Sequence, residues 1–184
     1  MFTNSVDSLK ASLAPAGEAR RVLPYETRYG RGLLVWRGCL LVAHHLPQPG
    51  SSGGGAASGH PSAGLESELV GALEAYFAGR RVEFEAMALP LDLGGYSRFE
   101  LDVARALAAV PYGETRSYAQ VADAAGHARA QRAVGSFMSR NSFPLILPCH
   151  RVIKSSGALG NFSSGRHWKK RMLALEGVSL AGAA

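Results

Sequence analysis

A chain of 184 residues with 47% apolar and 18% charged side chains can bury one ordinary core or two small ones, which excludes a disordered protein. No run approaches the roughly 18 apolar residues of a membrane span, and Met1–Ala14 lacks the basic-then-apolar order of a secretion signal, so a soluble cytoplasmic protein with no membrane partner is expected. The net charge of +6 is uneven: residues 1–123 hold 11 basic and 13 acidic side chains, residues 124–184 hold 9 and 1, and no carboxylate lies between Asp123 and Glu176. A polyanion partner for the C-terminal third would account for this, as would a solvated basic face.

In chain order, Leu33–Trp36 and Cys39–Ala43 read as two strands of a hairpin turning at Arg37-Gly38. Cys39 falls in this alternating run and is expected to be a buried core thiol. Residues 47–64, rich in Gly, Ser, Ala and Pro, read as a flexible loop. A helix follows at Leu65–Ala78, with Leu65, Leu69, Val70, Leu73, Tyr76 and Phe77 near one face. Val82, Phe84 and Ala86 alternate and predict a strand over Arg81–Ala88. Pro90–Gly95 reads as a linker, so the expected division is 1–90 and 91–184.

Beyond it the periodicity turns helical. Ser97–Ala109 places Phe99, Val103 and Leu107 at helical spacing. Ser117 is a natural N-cap for Tyr118–Ala125, and Gly126 its stop. A second helix is expected from about Ala128 to Arg140, completing a helix-turn-helix pattern. It carries the small residues Ala130, Ala133 and Gly135 beside Arg129 and Arg132, which suits close approach either to another helix or to a partner surface. The fold class is therefore α+β, a mixed first unit followed by a mainly helical one.

Two cysteines cannot build a disulfide framework or a four-cysteine zinc site, and no metal is expected. Cys149 stands between Pro148 and His150 at the end of an apolar run. A thiolate is the nucleophilic form of cysteine, and an adjacent imidazole favours it. Neighbours in an extended strand point to opposite faces, so His150 can serve Cys149 only if the chain turns or a water bridges them. Pro148 could set such a turn. A carboxylate orienting His150 would have to be Glu176 if it lies in this region, because Glu176 is the only acid of residues 124–184. A structural thiol remains the alternative for an isolated Cys-His pair.

The pair is not isolated. Pro148-Cys-His-Arg-Val152 is preceded by Gly113-Glu-Thr-Arg-Ser-Tyr-Ala-Gln-Val-Ala122, Arg132-Ala-Val-Gly135 and Ser139-Arg-Asn141. It is followed by Ser156-Gly-Ala-Leu-Gly-Asn-Phe-Ser163 and Leu173-Ala-Leu-Glu-Gly177. In this order and spacing, residues from about Phe99 to Gly177 resemble the O6-alkylguanine-DNA alkyltransferases, and residues 22–90 match more loosely. The resemblance implies DNA repair by stoichiometric, irreversible transfer of an alkyl group from O6-alkylguanine to Cys149 after base flipping, with O4-alkylthymine an open second substrate.

It also implies roles. His150 deprotonates Cys149 through a water, Glu176 orients His150, Tyr118 donates a proton to the leaving guanine, and Asn141 stabilises the hinge before the active-site segment. Arg132 fills the gap in the base stack. Arg129, Ala130, Ala133, Gly135, Tyr118 and Ser155 face DNA. Met138, Val152, Phe162 and Ser163 form the substrate pocket, and Arg151 makes a structural ion pair. The implied fold is a ribonuclease-H-like first domain and a winged-helix-like second. The implied partner is duplex DNA read through the minor groove with little sequence preference by a monomer, without cofactors.

The chain departs from the family in three places. Asn141-Ser142 replaces the frequent Asn-Pro, Phe162 replaces a frequent Tyr, and Ser164 replaces a frequent Gly and is expected to narrow the pocket. Cys39 alone cannot supply the zinc site of some relatives. The competing readings are a non-catalytic alkyltransferase-like damage-binding protein, against which Cys149 itself argues, and a Cys-His hydrolase on another fold, which leaves the Arg132–Asn141 element without a purpose.

Overall fold

The computed structural model describes residues 18–50 and 64–179. The readings made for Met1–Ala14 and for most of the 47–64 loop lie outside them. Two compact units divide the chain, one ending at Gly95 and the other beginning at Tyr96.

In the first unit, Arg20–Thr27 (β1), Gly30–Arg37 (β2) and Leu40–Gln48 (β3) form an antiparallel sheet in the order β1-β2-β3. Along β2 burial alternates, with Gly32, Leu34 and Trp36 inward, because successive side chains of a strand face opposite ways. The strand β1 carries a sparser apolar signal than β2 and β3, with Val22, Leu23 and Tyr25 among polar residues. It contains Pro24, which has no N–H to donate and fits only because β1 is an edge. Gly32 is required where it stands: a Cβ there would lie 2.1 Å from the Tyr25 ring. The Tyr25 hydroxyl in turn meets His44 Nε2 at 2.7 Å in the core.

Three expectations are corrected here. The hairpin turns at Gly38-Cys39, one residue later than the sequence suggests, because Gly38 takes the left-handed φ of 54°. Cys39 therefore sits at the tip and is exposed rather than buried. Residues 81–88 are not a strand. Phe84–Ala86 form a 3-10 turn that drops Phe84 against Tyr76, with ring centroids 5.8 Å apart; no strand among the described residues pairs with the segment.

A helix at Leu65–Phe77 (α1) buries Leu69, Leu73, Tyr76 and Phe77, and its Glu66 pairs with Arg21 of β1. Pro90–Gly95 is held to β3: Leu41 N–H donates to Pro90 O and Asp92 N–H to Leu41 O, both at 2.8 Å.

The second unit begins with Arg98–Ala108 (α2), capped by a reciprocal pair in which Ser97 and Glu100 each satisfy the other's backbone N–H. Arg116–Ser117 (β4) leads into Tyr118–Ala124 (α3), which Ser117 and Gln120 cap the same way. Gly126 follows at φ 78°, and Gln131–Ser139 (α4) completes the helix-turn-helix. That helix starts later than the sequence suggests, because Arg129 takes a left-handed φ of 68° and breaks the helical run. Arg129 and Ala130 thus precede α4 rather than belong to it. Val152–Ile153 (β5) pairs parallel with β4, bringing the segment after Cys149 beside the start of α3. Arg166–Leu175 (α5) closes the unit. No helix among the described residues is long and apolar enough to cross a membrane.

Candidate active site

The apolar run before Cys149 is a coil, not a strand. Phe143, Leu145, Ile146 and Leu147 are all buried, Leu145 has a left-handed φ of 72°, and Leu147 N–H closes back onto Phe143 O at 2.8 Å. Pro148 then starts a 3-10 turn over Cys149–Arg151, in which Arg151 N–H donates to Pro148 O at 2.9 Å. The turn answers the alternation problem, since Cys149 and His150 need not point along opposite faces of a strand.

Asn141 holds this turn from the end of α4. Its Nδ2 donates to Leu147 O at 2.9 Å and reaches Cys149 Sγ at 3.0 Å, while its Oδ1 accepts from Phe143 N–H at 2.9 Å. All three contacts come from its own side chain, so Ser142 in place of proline does not disturb them.

His150 is fully buried, with Nε2 2.7 Å from Glu176 Oε1. Glu176 caps the end of α5 and is the hub of the site. Arg151 Nε donates to its Oε2 at 3.0 Å and Arg151 Nη2 to its Oε1 at 3.2 Å. Gly113 N–H donates to Oε2 at 3.0 Å. The approach demands glycine, because position 113 has φ 78° and a Cβ would lie 3.1 Å from Glu176 O. Arg151 Nη1 donates to Val110 O at 2.6 Å, so this guanidinium is spent on structure.

Burial pushes the Glu176 carboxyl up, but the hydrogen bonds from His150 and Arg151 and the Arg151 charge overcome it and hold the group down at about 2. An ionised Glu176 requires the proton of a neutral imidazole on Nε2, which leaves Nδ1 with its lone pair. His150 is kept neutral because burial lowers its pKa more than Glu176 raises it. Nδ1 is buried and has no hydrogen-bond partner among the described residues. The Cys149 thiol is pushed up by burial, against the opposing pull of the Asn141 bond and the Lys169 charge.

A cavity of about 730 Å³ opens over Cys149. Of the residues expected at the site, Tyr118, Arg132, Gly135, Met138, Cys149, Ser155, Phe162 and Ser163 line it. Val152 does not. It is fully buried beneath the turn, where its carbonyl accepts from Lys169 Nζ. Arg129, Ala130 and Ala133 also lie off the lining, and so does Ser164, so the expected narrowing by Ser164 is not seen. Gly160 closes one wall: a Cβ there would come within 2.8 Å of the Tyr118 hydroxyl. Among the described residues no three His, Cys, Asp or Glu side chains converge to hold a metal ion.

Sequence reasoning missed Lys169. It is 1% exposed, and its ammonium lies 6.0 Å from the centre of the Tyr118 ring. The available signal was its place on the stripe 169, 172, 173, 176, where Met172, Leu173 and Glu176 are all buried. Burial lowers its pKa to about 8, with the nearby Cys149 opposing. A lysine that binds its proton less tightly when folded costs stability in full below pH 8, and the cost fades as pH rises toward 10.5. Lys169→Met removes that cost but leaves the buried Val152 carbonyl without its donor, so it is expected to change stability at neutral pH by less than about 1 kcal/mol and to abolish the rise in stability between pH 8 and 10.5. It should also raise the Cys149 thiol pKa by removing a neighbouring positive charge. Urea unfolding and the pH profile of iodoacetamide labelling at Cys149 would read the two effects.

Residues 98–178 match the family model described as the 6-O-methylguanine DNA methyltransferase, DNA binding domain. A methylated-DNA–protein-cysteine methyltransferase of Mycobacterium leprae is 47% identical over 116 residues, which are 63% of this chain and 68% of that protein. The chain belongs to this methyltransferase family. The crystal structure of the Mycobacterium tuberculosis O6-methylguanine methyltransferase aligns with a TM-score of 0.68 at 36% identity, covering 90% of this chain and 97% of the other. A second structure of that enzyme, in complex with DNA, aligns at 0.69 and 34% identity over 85% and 92%. The α+β architecture, a small N-terminal sheet followed by helices, is that of these methyltransferases.

Proposed function

We propose that this chain repairs DNA by transferring the methyl group of O6-methylguanine, or another small O6-alkyl group, to Cys149 in a single irreversible turnover. The observation that carries the reading is one connected arrangement. A cysteine held by Asn141 forms the floor of a large cavity, next in sequence to a histidine whose Nε2 faces an ionised glutamate. His150 Nδ1 takes the thiol proton through a water, as in other nucleophile–base–orienter sets. The sulfur attacks the methyl carbon, the S–C bond forms and the C–O6 bond breaks. The electron pair stays on guanine, which takes a proton from the Tyr118 hydroxyl. Burial and the neighbouring Cys149 raise the Tyr118 pKa, keeping it protonated until that step. The acceptor is a side chain of the protein, so the reaction needs no cofactor.

O6 lies inside a duplex, and in-line attack requires the nucleotide to swing out into the pocket. Met138 and Phe162 provide apolar surface for the flipped base, and Ser155 and Ser163 line the mouth. Arg132, exposed on α4 and at the cavity rim, fills the space left behind. The small side chains at Ala130, Ala133 and Gly135 favour approach to the minor groove by a monomer with little sequence preference, and Arg129 adds phosphate attraction. A meander covered by α1 favours a ribonuclease-H-like first unit. A helix-turn-helix followed by the β4–β5 pair favours a winged-helix-like second unit. A free reactive thiol fits the reducing cytoplasm.

Mass spectrometry of the protein after incubation with a duplex containing O6-methylguanine tests the proposal. The Cys149 peptide should gain one methyl group while the lesion disappears stoichiometrically. An unmodified Cys149 beside a vanished lesion would sink it. Arg132→Ala should slow repair of duplex DNA by on the order of tenfold or more, because extrusion loses the group that fills the stack, and should leave reaction with free O6-methylguanine nearly unchanged. Equal losses on both substrates would remove the insertion role.

A further inference from the structure

Helix α4 carries Arg132, yet its own start is weakly secured. Helices α2 and α3 each begin with a reciprocal side-chain cap. Helix α4 begins at Gln131, and the residue before it, Ala130, offers no polar side chain to cap it and directly follows Arg129 in the left-handed region. A β-carbon makes that conformation unfavourable, so the turn needs support from outside.

The support comes from α2. His127, in the turn between α3 and α4, places Nε2 3.2 Å from Asp102 Oδ2 and meets the Phe99 ring edge-on at 4.9 Å. Asp102 is itself fixed by Arg98 Nε and Arg105 Nη1, each 3.1 Å from its Oδ1. At the other end of α4, Arg140 Nη2 lies 3.1 Å from Glu100 Oε1. Two carboxylates of one helix thus hold both ends of another.

We propose that Asp102 and Glu100 clamp α4 through the positioning residues His127 and Arg140, and that this clamp aims Arg132 into duplex DNA. The inference rests on the base-flipping reading above. Partly exposed ion pairs add little to global stability, so their consequence here is orientation. A helix tied at one end only can pivot about a strained turn. A helix tied at both ends keeps its axis, and with it the reach of Arg132. Misplacement of a positioning group slows a reaction without touching its chemistry.

The test compares methylation of Cys149 by duplex O6-methylguanine and by the free base, in wild type, His127→Ala, His127→Gln and Glu100→Gln. Glutamine at 100 can still complete the cap with Ser97 while losing the charge that faces Arg140. His127→Ala and Glu100→Gln are each expected to lower the duplex rate about threefold to tenfold relative to the free-base rate, with little change in thermal midpoint. His127→Gln, whose amide can still donate to Asp102, should recover most of the loss.

An unchanged ratio in both variants, with a wild type that reacts on duplex, overturns the clamp alone. Equal losses on both substrates with a lowered midpoint assign these contacts to stability and also overturn it. A wild type that reacts with the free base but not with duplex removes the base-flipping reading and the clamp together.

Discussion

Replacing Cys149 with alanine is expected to abolish methyl transfer completely while leaving binding to O6-methylguanine duplexes within about twofold of wild type. The thiol is 3% exposed and, among the described residues, accepts one side-chain hydrogen bond, from Asn141 Nδ2, which keeps Leu147 O as a partner when the sulfur is gone. Removing one buried sulfur costs about 1–2 kcal/mol of packing, too little to unfold the unit. The groups proposed to meet DNA stay in place. Loss of transfer should therefore be total, since the one other cysteine, Cys39, is exposed in the hairpin turn of the first unit and is no part of the cavity lining. Gel-shift affinity and lesion counting on the same preparation would measure both quantities. Transfer that persisted would mean that the nucleophile is another residue. Wild-type protein that bound the lesion and never became methylated would instead describe a damage-binding protein.

Glu176→Ala should produce the largest loss of stability. Four groups converge on this carboxylate: His150 Nε2, two nitrogens of Arg151 and Gly113 N–H. Arg151 is 1% exposed and cannot shed its charge. Removing its partner leaves a buried, uncompensated guanidinium, at a cost of about 3–5 kcal/mol. The pH dependence follows from the same contacts. Glu176 titrates near 2 in the folded protein against an ordinary value of 4.5, so the folded state binds its proton less readily than the unfolded chain. Its stabilisation is complete above about pH 4.5 and is lost as pH falls toward 2. Glu176→Gln keeps the shape and loses that acid-dependent slope. In both variants His150 loses the group that sets its tautomer, and methyl transfer should slow by about a hundredfold or more. Urea melts between pH 3 and 7 and single-turnover rates would check the two effects separately. An acid-unfolding slope in Glu176→Gln identical to wild type would refute the linkage.

Local codes were legible in the sequence wherever the physics is local. Ser97 with Glu100, and Ser117 with Gln120, sit three residues apart and cap helices by satisfying orphan N–H groups, so α2 and α3 begin where the sequence places them. Gly126 stops α3 because only glycine takes φ 78° without cost. The acid facing His150 could be named because residues 124–184 contain only one.

Tertiary structure decided the rest. The strand β1, with Pro24 in it, exists because an edge strand can lack a donor, and the place of the edge is a property of the sheet. Phe84 turned away from a strand because Tyr76 offers it a core and no strand among the described residues offers a ladder. Lys169 was hidden among the basic residues of α5, and its burial depends on a carbonyl 17 residues earlier in the chain. Sequence alone specified which side chains can do the chemistry, because reactivity belongs to residue type. Their distances, protonation states and orientations came from the fold, because burial and charge at a site are summed over residues that meet only when the chain closes on itself.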